Sequence, residues 1–216
     1  MLPVKSRDNN SPVVQEEDSQ ICNNIRIFLC GAHSVGKTTL AKEIVKETNV
    51  YMMTEIARKI IRDKGMKRED FEPKSHPEKF FELQRLIIEA QAKKERENDE
   101  VGLNYVSDRG IDPVVYASLY IGKEAADRLL RLSETKEIIR RYQSSLVFVI
   151  KPFPECIVED GVRLRPNINE MNDFTTTMEN LLYQLSIPYT IINVLDLKER
   201  VKIVQSEINK RQKSTG

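Results

Sequence analysis

The sequence predicts an α/β fold: one five-stranded parallel sheet with helices on both faces. Two observations carry this. Short, nearly continuous apolar runs alternate with longer amphipathic stretches from Ile25 onward. The runs lack the polar alternation of a strand with one wet face, so they read as strands covered on both sides. A third observation is size: 216 residues, 40% of them hydrophobic, suffice for one substantial core.

The elements follow in order. Ile25 to Cys30 is an apolar run closed by Gly31, the first strand. Thr38 to Glu47 is helical, with Leu40, Ile44 and Val45 on one face. Val50 to Thr54 is a second short strand, and Glu55 to Lys64 a helix that gathers Ile56, Ala57, Ile60 and Ile61. Gly65 to His76 is a charged connection. Pro77, suited to a first helical turn, opens a long helix to Glu100 striped with Phe80, Phe81, Leu83, Leu86, Ile87, Ile88 and Ala90. Leu103 to Ser107 is the third strand, ending at Asp108. Helices are predicted from Asp112 to Tyr120 and from Lys123 to Tyr142, and Leu146 to Ile150 is the fourth strand. A polar segment from Lys151 to Pro166 precedes a helix at Asn169 to Leu185. Tyr189 to Asn193 is the fifth strand and Leu197 to Lys210 the last helix. Residues 1–22 read as a disordered N-terminal tail, 23–210 as the domain and 211–216 as a C-terminal tail.

Composition excludes several classes. Lys and Arg number 34 against 33 Asp and Glu, a net charge of +1. With no aromatic-basic cluster, nucleic acid is not an expected partner. Cys22, Cys30 and Cys156 are too scattered for a disulfide framework, and two histidines are too few for a His-rich metal site. No run approaches the roughly 20 apolar residues of a membrane span. The N-terminus lacks the basic start and apolar centre of a signal peptide. The expectation is a cytoplasmic, reducing environment.

Gly31-Ala32-His33-Ser34-Val35-Gly36-Lys37-Thr38 matches G-x-x-x-x-G-K-[ST], with a strand before it and a helix after it. Gly31 and Gly36 allow backbone conformations that let successive amides face phosphate oxygens. The new helix, continuing through Thr39, adds unsatisfied amides and the positive end of its dipole. Lys37 supplies charge to the β- and γ-phosphates, and the Thr38 hydroxyl ligates Mg²⁺. The expected ligand is therefore a nucleoside triphosphate on Gly31 to Thr39, with His33 and Ser34 at variable positions. His33 reads as a bystander.

Polar residues at the carboxyl ends of the neighbouring strands are the next candidates. Glu55, with Arg58 three residues on, reads as a general base or substrate anchor, or as a first-turn Glu favoured by the helix dipole. Asp108, followed by Arg109, can orient Mg²⁺ or accept a hydroxyl proton, or it is a helix cap or ion-pair partner. Asp112 before Pro113 reads as an N-cap. After the fourth strand, Glu159-Asp160-Gly161-Val162-Arg163-Leu164-Arg165-Pro166 holds two arginines that close over phosphates or simply meet solvent.

Together GAHSVGKTTLA, TEIAR (Thr54 to Arg58), SDRGIDPVVYA (Ser107 to Ala117), EDGVR (Glu159 to Arg163) and ERV (Glu199 to Val201) resemble the NadR-like P-loop family, often labelled AAA-type. Its namesake includes a ribosylnicotinamide-kinase domain. The resemblance runs from about Ile25 to Ile208. It implies a three-layer P-loop NTPase fold of nucleoside-kinase type and a Mg²⁺-dependent transfer of the γ-phosphate of ATP to a small hydroxyl acceptor. In that scheme Lys37, Asp108, Glu55 and Arg163 are catalytic, Thr38 and Asp108 serve the metal, and Glu55, Arg58 and Arg109 face the acceptor. No second helical lid domain is read after the core, which argues against a hexameric motor. The Asn-Lys-x-Asp guanine signature is missing, because Asn209-Lys210 is followed by Arg211-Gln212. This favours ATP, with GTP as the alternative. The rival implication is a nucleotide switch with slow hydrolysis and a protein partner.

Overall fold

The computed structural model describes residues 24–53, 56–156 and 167–214. The N-terminal tail, Thr54, Glu55, the Glu159–Pro166 cluster with Arg163 and Arg165, and residues 215–216 lie outside them. Strands β1 (Arg26–Cys30), β2 (Tyr51–Met53), β3 (Tyr105–Ser107), β4 (Leu146–Ile150) and β5 (Thr190–Ile192) form one parallel sheet in the order β2-β3-β1-β4-β5. All residues of β3 are buried, as are all but the first of β1 and β4, whereas the edge strands β2 and β5 each bury only their last residue. The unbroken apolar runs mark the middle of the sheet.

The helices are α1 (Lys37–Glu47), α2 (Ile56–Asp63), α3 (Pro77–Glu100), α4 (Asp112–Ile121), α5 (Lys123–Leu130), α6 (Ser133–Gln143), α7 (Ile168–Gln184) and α8 (Leu197–Ser214). Helix α1 packs on β1, β3, β2 and α8. Helix α3 packs against α2, α4 and α6, and α4 also meets α5 and α7. Right-handed crossovers produce this division: β1 to β2 moves one way along the sheet, and every later step moves the other way. That puts α1 and α8 on one face and α2 to α7 on the opposite one.

Beyond shifts of one or two residues at element ends, three features differ from the sequence reading. The single helix expected from Lys123 to Tyr142 is two, α5 and α6, because Leu132 turns extended at φ −62°, ψ 142°. The Leu132 amide closes on the Leu129 carbonyl, which also accepts from the Thr135 hydroxyl at 2.7 Å. The break lets Leu129 and Ile138 both sit fully buried, and Ser133, a common helix-start residue, was its signal. The 65–76 connection contains a 3₁₀ turn at Arg68–Phe71, and α8 continues past Lys210 to Ser214.

Candidate functional site

The loop leaving β1 is folded around two positive-φ glycines, Gly31 at +144° and Gly36 at +92°, with Ser34 left-handed at +63°. At Gly31 the requirement is also spatial. A Cβ there would stand 2.8 Å from the Ile150 carbonyl oxygen of β4. Helix α1 starts directly after Gly36 with no acidic residue in its first turn, so the positive end of its dipole is left for an anion. Lys37 is buried, and its Nζ donates to the carbonyls of Gly31 and Ala32, both at 2.6 Å. Burial, and then the charge of Arg109, lower its ammonium to about 8, against the opposing pull of Asp112 and Asp108. Among the described residues its hydrogen-bond acceptors are neutral carbonyls, so an anionic phosphate oxygen is the better partner.

Strand β3 lies beside β1, and its end brings Asp108 to the mouth of this loop. The Thr38 hydroxyl, 70 residues away in sequence, donates to Asp108 Oδ2 at 2.5 Å. A hydroxyl that donates to a carboxylate still offers its lone pairs to a cation. The pair therefore fits Mg²⁺, which prefers a few oxygen ligands plus phosphates and waters. Among the described residues no group of three or more His, Cys, Asp or Glu could hold a metal on its own. Thr38 and Thr39 are exposed and His33 is half-buried.

Against Arg109, the residue after Asp108, lies a narrow slot of about 30 Å³, walled by Ile56 and Ala57 of α2, Gln84, Ile87 and Gln91 of α3, and Arg109, Asp112, Pro113 and Tyr116 at the start of α4. Arg109 hydrogen-bonds Tyr116 and acts on Lys37 by charge, so it stands between loop and slot. Gln91 donates to Glu95 Oε1 at 2.7 Å and to the Ser107 hydroxyl at 3.4 Å. That hydroxyl donates to the Arg109 carbonyl at 2.5 Å. Burial pushes Glu95 up to about 7, outweighing the Gln91 hydrogen bond and Arg141, 3.4 Å away. Gln84 is different: it is 4% exposed, yet among the described residues its side chain has no hydrogen-bond partner.

Of the sequence candidates, Lys37, Thr38, Asp108 and Arg109 are brought together. Arg58 is exposed on α2 and is not among the slot's lining residues, while Glu55 and Arg163 lie outside the described residues. Asp112 is the first helical residue rather than the cap. Its Oδ2 accepts the Gly110 amide at 2.8 Å, and its buried Oδ1 has no partner among the described residues. Gln84, Gln91 and Tyr116 escaped the sequence reading. Their signal was polar residues on a buried helix face: Gln84 and Gln91 share the helical phase of Phe80, Ile87 and Ile88.

A phosphate-type loop between β1 and α1 on this sheet defines a P-loop NTPase with a kinase-like fold. A family model described as an AAA domain matches residues 26–200, and the chain belongs to that family. Among solved structures it is similar to NadR in complex with NR, at TM-score 0.61 and 22% identity, covering 79% of this chain and 46% of that one. It is also similar to NadR with NAD and AMP-PNP, at 0.62 and 18%, covering 85% and 49%. The chain thus spans about half the length of the NadR chains it matches. The deoxyadenosine kinase of M. mycoides with bound dATP matches at 0.58 and 14%, covering 86% of this chain and 100% of that one. A comparison with curated proteins gives no match. No helix among the described residues is long and apolar enough to cross a membrane.

Proposed function

We propose that this chain is a Mg²⁺-dependent kinase that moves the γ-phosphoryl group of ATP to a hydroxyl of a nucleoside-like acceptor. The observation that carries this reading is the narrow slot against Arg109, whose chain neighbour Asp108 accepts from Thr38 of the phosphate loop. A triphosphate lies along Gly31 to Thr38, its β- and γ-phosphates drawing Lys37 from the Gly31 and Ala32 carbonyls. Thr38 and Asp108 would hold Mg²⁺, which supplies positive charge to the phosphate oxygens when bound. The acceptor occupies the slot. Its apolar walls suit a flat ring, and the free amide of Gln84 offers one donor and one acceptor side by side. A carboxamide or a nucleobase edge satisfies both.

In the transfer, the acceptor oxygen bonds to the γ-phosphorus as the bond to the β–γ bridging oxygen breaks, leaving ADP. The hydroxyl proton passes to a carboxylate, Asp108 or Glu55. Lys37 and Arg109 balance the charge spread over the phosphoryl oxygens. Arg58 and Arg163 keep the roles the family resemblance implies, at the acceptor and over the phosphates.

The test is ADP formation with a panel of nucleosides, nicotinamide riboside and, as a contrast, a polyhydroxy carboxylic acid. ADP should form in step with one ring-bearing acceptor. Bound ATP with no acceptor-dependent ADP would remove the kinase reading.

A further inference from the structure

Arg200, in the first turn of α8, is 3% exposed and lies against the phosphate loop on the face that α1 and α8 share. Its Nη1 donates to the Val35 carbonyl at 2.7 Å, and its Nε to the Val194 carbonyl at 2.7 Å. Among the described residues its buried Nη2 has no partner, and no carboxylate pairs with it. The Phe153 ring centroid is 5.9 Å from the guanidinium carbon. A cation taken out of water and met by neutral carbonyls and a ring face is costly unless an anion arrives.

Peptide geometry shows what the Val35 contact does. In a planar trans unit the carbonyl of Val35 and the N–H of Gly36 point in opposite directions. Pinning the oxygen toward α8 therefore fixes the Gly36 amide on the side away from Arg200. The fit is close: a Cβ on Gly36 would sit 3.1 Å from Arg200 Nη1. Lys37 works from within the loop and is tied to Gly31 and Ala32. Arg200 works from behind it and is tied to the opposite limb.

We propose that Arg200 is a positioning residue of the nucleotide site: it aims the Gly36 amide at the phosphate chain and places a second buried positive charge behind the loop. This rests on the reading that the loop binds a nucleoside triphosphate. Arg200 does not touch the transferring group. It sets the cradle before the ligand arrives, and the negative chain relieves the uncompensated cation once bound. Nucleotide and the seating of α8 then stabilise each other.

The test is calorimetric titration of ATP, ADP and AMP, with GTP in parallel, into the wild-type chain, Arg200→Met and Arg200→Lys. Thermal unfolding of each is followed with and without nucleotide. Losing one charge-assisted contact in a buried site predicts ATP binding about ten- to hundredfold weaker in Arg200→Met. The loss should shrink from ATP to ADP to AMP, and acceptor affinity should hold. Arg200→Lys keeps the charge but not the fork, so it should recover part of the ATP affinity. A lowered melting temperature with unchanged ATP affinity would overturn the proposal. So would equal losses for ATP and AMP, or an Arg200→Lys variant that binds ATP no better than the Met variant. If the wild-type chain itself took up no triphosphate, the reading of the loop would fall first, which is a distinguishable result.

Discussion

The two halves of the candidate site are built from different material. The phosphate half is one contiguous stretch, Gly31 to Thr38, whose chemistry resides mostly in main-chain amides, a helix end and a single lysine. The acceptor half is assembled from side chains on α2, α3 and α4, separated by as many as 60 residues. Lys37 rests on local carbonyls, while Gln84 stands in the slot wall with no hydrogen-bond partner among the described residues. The phosphate half is thus organised in advance, and on the proposed reading the Gln84 amide is left for an acceptor. Triphosphate binding should therefore depend on a few local residues, and acceptor choice on residues that leave the loop untouched.

The largest expected effect separates the halves outright. In Lys37→Ala, two charge-assisted bonds of roughly 1.5–3 kcal/mol each are lost. Calorimetry should show ATP affinity down about a thousandfold, with acceptor binding to the free chain unchanged. Next is the support behind the slot. Glu95 is held near 7 in the folded chain against an ordinary 4.5, so the native state keeps its proton more tightly than the unfolded one. That contribution is complete below pH 4.5 and is lost as pH rises towards 7, by up to about 3 kcal/mol. Glu95→Gln should flatten this fall in chemical denaturation curves compared across pH.

A smaller effect tests Gln84. Gln84→Leu should raise the acceptor KM about tenfold or more while leaving ATP affinity alone, and the melting temperature should stay about level, because no hydrogen bond to another described residue is lost. Acceptor KM unchanged in that variant would leave the slot without its recognition element. The smallest effect is a pH profile. Lys37 at about 8 binds phosphate only when protonated, so ATP affinity should be flat below pH 8 and fall severalfold by pH 9. Lys37→Arg, charged throughout, should bind with no such fall.

The same contrast accounts for what could be read from sequence. Strand β4 is predicted to the residue and β1 to within one, because central strands are apolar on both faces and need no partner to be recognised. The phosphate loop was legible because its parts are adjacent, and Asp108 because strand ends point at ligands in such sheets. Gln84 and Gln91 are seven residues apart on one helix, and the wall opposite them comes from α4. Periodicity reports that this face is buried but not what lies across from it. Asp112 was placed one position off, since its carboxylate turns back to Gly110 instead of capping the helix. Arg200 stood within the quoted ERV motif, yet its contact with Val35 spans 165 residues and exists only once α1 and α8 pack together.

A crystal structure of the chain with Mg²⁺, AMP-PNP and the acceptor found in the ADP screen tests the account most directly. The account predicts β- and γ-phosphate oxygens within hydrogen-bond reach of Lys37 Nζ and the Gly36 and Lys37 amides, with the acceptor ring against Gln84 and its hydroxyl turned to the γ-phosphorus beside Asp108. A nucleotide held away from Gly31–Thr38, or an acceptor bound outside the α3–α4 slot, would contradict it.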